Sequence, residues 1–346
     1  MQVDYIIVGI GLAGISFCEE LIANNKTFVV FDDASQTSST VAGGLYNPVV
    51  LKRFTSVWKS REQLEIALRI YNALEKKLNV KLDYKIPLYR KFASLEEQNN
   101  WFAASDKPRL SEYLSANLVK NKNNAVNAPY GFGEVKSTGR IDVKTLIDAY
   151  KSFLFQNNLL IENEFQYRDL IVIENGFQYK NLVSHNLIFA EGFGMSKNPF
   201  FKDLPLVPTK GELLTIYASQ LNIDYVLKGP VFLIPLEEDL YLVGATYDWN
   251  DLSNKPSEKG KETLLTKLKT LINCPFEVVN QLAGVRPTVK DRRPLVGKHR
   301  EIDNMYILNG LGTRGVMIGP YVASQLFNLV ENNIPLEEEI DINRFY

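Results

Sequence analysis

Apolar residues fall into two repeating patterns along the chain. Asp4-Tyr5-Ile6-Ile7-Val8 and Thr27-Phe28-Val29-Val30-Phe31 are short, largely apolar runs, the pattern of strands buried on both faces of a parallel sheet. Between them, residues 15–24 carry helical spacing after a glycine-rich turn. Strand, turn, helix and strand make a βαβ unit that ends at Asp32-Asp33. A polar loop at 35–40 then leads to Ala42-Gly43-Gly44-Leu45-Tyr46-Asn47-Pro48, and Leu64, Leu68, Tyr71, Leu74 and Leu78 share one face of a long helix.

Residues 80–135 are polar and rich in Asn, and they predict only scattered helices. Thr138-Gly139-Arg140-Ile141-Asp142 reads as the start of another helix, in which Val143, Leu146, Ile147 and Tyr150 recur at helical spacing. Residues 170–174 and 177–180 predict a hairpin, and 186–190 a buried strand stopping at Glu191-Gly192. The runs 213–217, 231–235 and 240–243 alternate as an antiparallel sheet does. A charged amphipathic helix over 257–271 follows. Met305-Tyr306-Ile307-Leu308-Asn309 is a last strand, with Gly310, Gly312 and Gly315 leading into an apolar helix through 330.

At 346 residues the chain exceeds what one core ordinarily organises, so two domains are expected. Lys plus Arg (39) balance Asp plus Glu (40), which gives no global field to hold a polyanion. Cys18 and Cys274 match no metal or redox spacing, and they fit a reducing compartment. The apolar N-terminus lacks a basic leader, and no run approaches the roughly 20 apolar residues of a membrane span. A cytoplasmic protein is expected, and its oligomeric state is open.

Gly9-Ile10-Gly11-Leu12-Ala13-Gly14 is G-x-G-x-x-G placed between a strand and a helix, the context in which the motif carries meaning. The first glycine permits the turn, the second lets a pyrophosphate approach the backbone, and the third lets helix and strand pack closely. The diphosphate sits on the helix N-terminus, where free N–H groups favour anions. Asp32 then accepts hydrogen bonds from ribose hydroxyls. This turn alone serves FAD and NAD equally well.

Further blocks follow in order: Ser39-Thr40-Val41-Ala42-Gly43-Gly44-Leu45, Pro208-Thr209-Lys210-Gly211-Glu212, Gly244-Ala245-Thr246, Ala283-Gly284-Val285-Arg286-Pro287, Lys290-Asp291-Arg292-Arg293-Pro294-Leu295-Val296-Gly297, and Gly310 to Pro320. The series resembles the D-amino-acid oxidase family of FAD-dependent oxidoreductases, most closely its glycine oxidase branch, over nearly the whole chain. The resemblance implies an α/β fold, with a Rossmann-like FAD-binding domain (1–80, 136–205 and 284–346) interleaved with a mixed α+β substrate domain on an antiparallel sheet (81–135 and 206–283). It implies non-covalent FAD held by Gly9, Gly11, Leu12, Ala13, Gly14, Asp32, Asp33, Ser39, Thr40, Gly43, Gly44, Leu45 and Gly192. Gly310, Leu311, Gly312, Thr313, Arg314, Gly315, Val316 and Met317 would wrap the ring. No cysteine stands near Gly284, where sarcosine oxidase relatives attach the flavin.

The same resemblance gives Arg286 the substrate carboxylate, a role suited to a planar fork of donors. Tyr247, Phe232 and Arg314 would line the substrate pocket. Where relatives have His, pocket Tyr and pocket Met, this chain has Leu311, Phe232 and Tyr247. His185 and His299 sit in turn-like sequence without partners for a triad or a metal cage, so no side-chain base and no metal is expected. The implied activity is oxidation of the C–N bond of a small amino acid or N-alkylglycine by hydride transfer to flavin N5, with oxygen or another electron acceptor. Two alternatives stay open: the same chemistry on a carboxymethylaminomethyl uridine of tRNA, as in the oxidase half of a bifunctional tRNA enzyme whose blocks at 43–48 and 310–315 look similar, and a flavin-binding redox module without small substrate.

Overall fold

The computed structural model describes residues 1–346. The first strand, Gln2–Val8, pairs in parallel with Phe28–Phe31 on one side and with Leu182–Phe189 on the other. Strands Leu160–Ile161 and Met305–Asn309 continue the parallel arrangement, and the hairpin Leu170–Ile173 and Gly176–Tyr179 adds an antiparallel edge. Ile6 and Ile7 are fully buried because helices cover one face and the aromatic cluster around Phe165, Phe177 and Phe189 covers the other.

Helix Leu12–Ala23 packs against the last helix, Gly315–Asn332, and both lie on this sheet, with Ile15, Phe17, Cys18 and Leu21 buried. Pro320 inside the last helix has no N–H to offer the carbonyl of Val316. The Tyr71 hydroxyl, from helix Ser60–Leu78, donates to that carbonyl instead at 2.9 Å.

A second eight-stranded sheet runs in the order Glu277–Arg286, Thr209–Tyr217, Leu240–Gly244, Phe232–Pro235, Val226–Lys228, Leu88–Lys91, Phe132–Val135 and Leu114–Val119. All its neighbours are antiparallel except the pair Val226–Lys228 and Leu88–Lys91. Its long edge strand Glu277–Arg286 carries Arg286 at its end, so the domain boundary expected at 283/284 falls inside a strand.

Three sequence expectations need correction. Residues 139–141 form a short strand between Leu45–Tyr46 and Asp83–Tyr84, and the helix begins at Val143 with Asp142 as its cap, accepting from the Thr145 N–H at 3.2 Å. Gly139 is there for contact, since a Cβ would lie 2.1 Å from the Tyr46 hydroxyl. The segment 80–135 holds one helix, Leu95–Ser105, and is otherwise mostly strand and loop; its Asn residues make loop hydrogen bonds such as Asn123 Nδ2 to the Leu221 carbonyl at 2.7 Å. Strand Thr209–Tyr217 starts four residues before the expected 213, because Lys210 and Glu212 lie in a buried polar network.

Candidate functional site

One deep cleft, about 460 Å³, runs from the end of the first strand to the second sheet. At its inner end Gly9 has φ of 100°, and a Cβ on it would meet the Ala190 carbonyl oxygen at 2.5 Å. Gly14 backs this turn: a Cβ there would lie 2.1 Å from the Gly9 oxygen, so the helix could not pack this close. Gly11 is different. Its missing Cβ faces the cleft and would meet only Ser39, with Oγ at 3.1 Å.

Gly11, the N-cap of helix Leu12–Ala23, has no side chain to cap it, and apart from a long 3.4 Å bond from the Leu12 N–H to Ser39 Oγ the first-turn N–H groups are left for an anion. Asp32 sits across the turn, accepting from the Ile10 N–H at 3.3 Å and the Ala34 N–H at 3.2 Å. Gly192, at φ of 57°, has nothing within 4 Å of where a Cβ would stand. Open glycine surfaces, an uncapped helix N-terminus and an acid at the far end fit the pyrophosphate and ribose of an adenine dinucleotide.

Lys151 and Glu191 are among the cleft residues to which the sequence assigned no role. Lys151, from helix Val143–Gln156, forms an ion pair with Asp32. Glu191 is buried, receives hydrogen bonds from the Tyr167 hydroxyl and from Asn198 Nδ2 at 2.7 Å, and burial pushes its pKa up to about 7. A lone Lys on an amphipathic helix gives no local signal. Glu191 does, as an acid interrupting an apolar strand end.

Asp33, Ser39, Thr40, Gly43, Gly44 and Leu45 line the middle of the cleft, opposite Leu311, Gly312, Thr313, Arg314, Gly315 and Val316. Three expected contacts stand behind the wall. Gly14 packs on Gly9, Gly310 packs against Val289 and Leu295, and the Met317 sulfur accepts from the Asn47 N–H at 3.3 Å.

At the outer end the second sheet supplies Phe232 and Arg286, and the loop after strand Leu240–Gly244 supplies Tyr247. Arg286 is half-buried, donates from Nη1 to the Thr246 carbonyl at 3.3 Å, and has its Cζ 5.0 Å from the centre of the Tyr247 ring. It forms no ion pair, and burial holds its pKa below the ordinary value. Lys228 lies over the Phe232 ring, Nζ 4.3 Å from its centre, and burial brings its pKa down to about 8.

The segment carrying Tyr247 is fixed from below. Lys210 reaches Asp251 and the Lys255 carbonyl, while Glu212 accepts from the Ser257 hydroxyl at 2.6 Å and from Gln281 Nε2 at 2.7 Å. His185, exposed, contacts the Asn175 carbonyl at 3.0 Å, and His299 accepts from the Glu301 and Ile302 N–H groups; neither lines the cleft. Cys18 and Cys274 do not line it either. No helix is long and apolar enough to cross a membrane.

A family model described as DAO, FAD dependent oxidoreductase, matches residues 4–329. The glycine oxidase of Bacillus subtilis (strain 168) is 28% identical over 146 residues, 40% of each chain. The tRNA 5-methylaminomethyl-2-thiouridine biosynthesis bifunctional protein of Marinobacter nauticus is 24% identical over 174 residues, 45% of this chain and 28% of that one. The chain thus spans about two fifths or less of the length of these curated relatives. Among solved structures, glycine oxidase from Geobacillus kaustophilus superposes with a TM-score of 0.81 at 18% identity, covering 99% of this chain and 98% of that one. L-proline dehydrogenase from P. horikoshii gives 0.79 at 13% identity, over 99% and 98%. These two establish the fold.

Proposed function

Because the chain belongs to the DAO family of FAD dependent oxidoreductases, we propose that it oxidises the C–N bond of a small amine bearing a carboxylate, an amino acid or N-alkylglycine. The carrying observation is Arg286: a half-buried guanidinium without an acidic partner, at the end of the cleft opposite the dinucleotide turn. A guanidinium in that setting lacks the anion that would satisfy its fork, and a substrate carboxylate supplies one with two parallel bonds.

Gly9 to Ala13 and Asp32 would hold the adenosine diphosphate, while 39–45 and 311–316 would flank the ring. Bound FAD supplies a two-electron acceptor at N5 that oxygen or another acceptor reoxidises. The chain itself binds and orients. Arg286 fixes the carboxylate, the Tyr247 ring packs on the guanidinium, and Phe232 closes the apolar side. No histidine or carboxylate lines this end of the cleft, and an amine that binds neutral needs none for its α-carbon to give up hydride. The imine product hydrolyses in water.

A second reading places the same oxidation on a modified tRNA uridine. It is favoured by Tyr247 and Trp249, 57% and 59% exposed and stacked 6.4 Å apart at 26°, an outward aromatic pair on which a base can stack. Anaerobic mixing of the yellow protein with glycine, sarcosine, D- and L-amino acids, and tRNA bearing the carboxymethylaminomethyl group decides between them. Bleaching by a small carboxylated amine supports the first reading, and bleaching by the tRNA alone supports the second.

A further inference from the structure

Glu191 is a buried carboxyl at the dinucleotide end of the cleft, with no cation paired to it. It follows strand Leu182–Phe189, and its backbone lies against the glycine turn: a Cβ on Gly9 would stand 3.3 Å from the Glu191 Cα. One carboxyl oxygen accepts from the Tyr167 hydroxyl and the other from Asn198 Nδ2 at 2.7 Å. The Asn198 amide cannot turn round, because its Oδ1 already accepts from the Phe200 N–H at 2.8 Å and the Phe201 N–H at 3.3 Å. Asn198 therefore only donates to Glu191, whereas the Tyr167 hydroxyl can donate or accept.

The surrounding charges disfavour a second anion here. Asp33, at the end of the second strand, repels the ionised carboxyl, and Glu164 lies on the segment that carries Tyr167. Lys151 is already paired with Asp32, and Lys197, on the turn after Glu191, forms no ion pair with it. A diphosphate on the uncapped helix beside Gly9 adds negative charge to the same corner, which raises the cost of ionising Glu191 further.

Protonation also changes what the wall offers. As a carboxylate, Glu191 takes the Tyr167 hydrogen. As an acid, its O–H donates to the phenol oxygen, and the Tyr167 hydrogen is released to an acceptor in the cleft that both residues line. The ring itself stays in place, packed edge-on against Phe165 and Phe200 with centroids 5.9 and 6.5 Å away.

We propose that Glu191 and Tyr167 form a proton-linked contact for the cofactor: FAD is held with Glu191 protonated and the Tyr167 hydroxyl donating into the cleft, so that binding in alkaline solution takes up a proton. The inference concerns the cofactor and stands whichever amine is oxidised. Burial raises the Glu191 pKa to about 7, and the diphosphate acts in the same direction. Below about 7 the proton is already present and FAD affinity is constant; above it the proton must be acquired and affinity falls.

Dilution of the FAD-loaded protein, with released FAD read by its fluorescence, gives Kd at pH 6, 7 and 8. The wild type should weaken by up to about tenfold from pH 6 to pH 8. Glu191→Gln, whose amide donates to Tyr167 at every pH, should match the wild type at pH 6 and keep that Kd at pH 8. Tyr167→Phe should bind FAD about fivefold more weakly than the wild type at pH 6, the worth of one hydrogen bond. A wild-type Kd that is constant from pH 6 to pH 8, Glu191→Gln with the wild-type slope, or Tyr167→Phe with the wild-type Kd at pH 6 overturns the inference.

Discussion

The guanidinium of Arg286 occupies the space that a side chain on Gly211 would need: a Cβ built there lies 1.9 Å from Nη2 and 2.1 Å from Cζ. Strands Thr209–Tyr217 and Glu277–Arg286 are neighbours, with Thr209 opposite Arg286 and Gly211 opposite Gly284, so the arginine folds back across the bare backbone. The glycine of Pro-x-Lys-Gly-Glu thereby aims the arginine of Gly-x-Arg-Pro. Gly211→Ala should displace the guanidinium while leaving the dinucleotide turn untouched. FAD absorbance should persist, and kcat/KM for a carboxylated amine should fall by more than roughly tenfold, the worth of a charge-assisted bond.

At the other end of the cleft, Gly11→Val should yield a folded, colourless protein. The added side chain meets only Ser39 in the protein but fills the approach to the helix N-terminus. Circular dichroism close to wild type with no bound flavin is the expected result. Wild-type protein should release intact FAD in acid, because neither Cys18 nor Cys274 reaches the cleft. A flavin-linked peptide in mass spectrometry would contradict this.

Lys210 is 1% exposed and ties the strand to Asp251 and Lys255. Lys210→Met removes the charge from a buried network that still contains Glu212. Stability to urea should drop by about 2 kcal/mol, less than for a wholly buried pair because Asp251 is partly solvated. KM should rise as the Tyr247 segment loosens. Unchanged stability would mean that the network is incidental.

Glu191 sets a pH dependence. Its carboxyl is raised from 4.5 to about 7 by burial, so in that interval the folded chain binds more protons than the unfolded one. The contribution is fully present below about 4.5 and is lost as pH rises through about 7. Flavin-free wild type should therefore lose up to about 3 kcal/mol across this window. Glu191→Gln, which has no proton to lose, should show a flatter profile in denaturation series at several pH values.

Periodicity revealed the buried parallel strands because Ile6, Ile7 and Val30 are covered on both faces, and the G-x-G-x-x-G turn showed itself through glycines whose absent Cβ atoms matter sterically. The edge strand Glu277–Arg286 was opaque. Its exposed residues Glu277, Val279, Asn280 and Leu282 alternate except at a bulge opposite Thr215 and Ile216, and its register is set by the partner strand. Residues inside the motifs, Gly11, Asp32, Gly43 and Arg286 among them, come together along one cleft. Lys151, which reaches Asp32 from 119 positions away, was not legible, since only the packing of its helix across the sheet brings it there. Gly310 and Met317, also in the motif blocks, pack behind the cleft wall, and Gly14 packs the helix on the turn as the third glycine of its motif is expected to.

The central claim is that Arg286 holds the carboxylate of an amine substrate, and it is tested most directly by kcat/KM of wild type, Arg286→Ala and Arg286→Lys on a carboxylated amine and on its uncharged analogue. The carboxylated substrate should lose more than roughly tenfold in Arg286→Ala, with little recovery in Arg286→Lys because a point charge does not reproduce the fork, while FAD stays bound and the uncharged analogue loses much less. Equal losses for both substrates, or release of FAD, would contradict the account and make Arg286 a support of the fold or of the flavin.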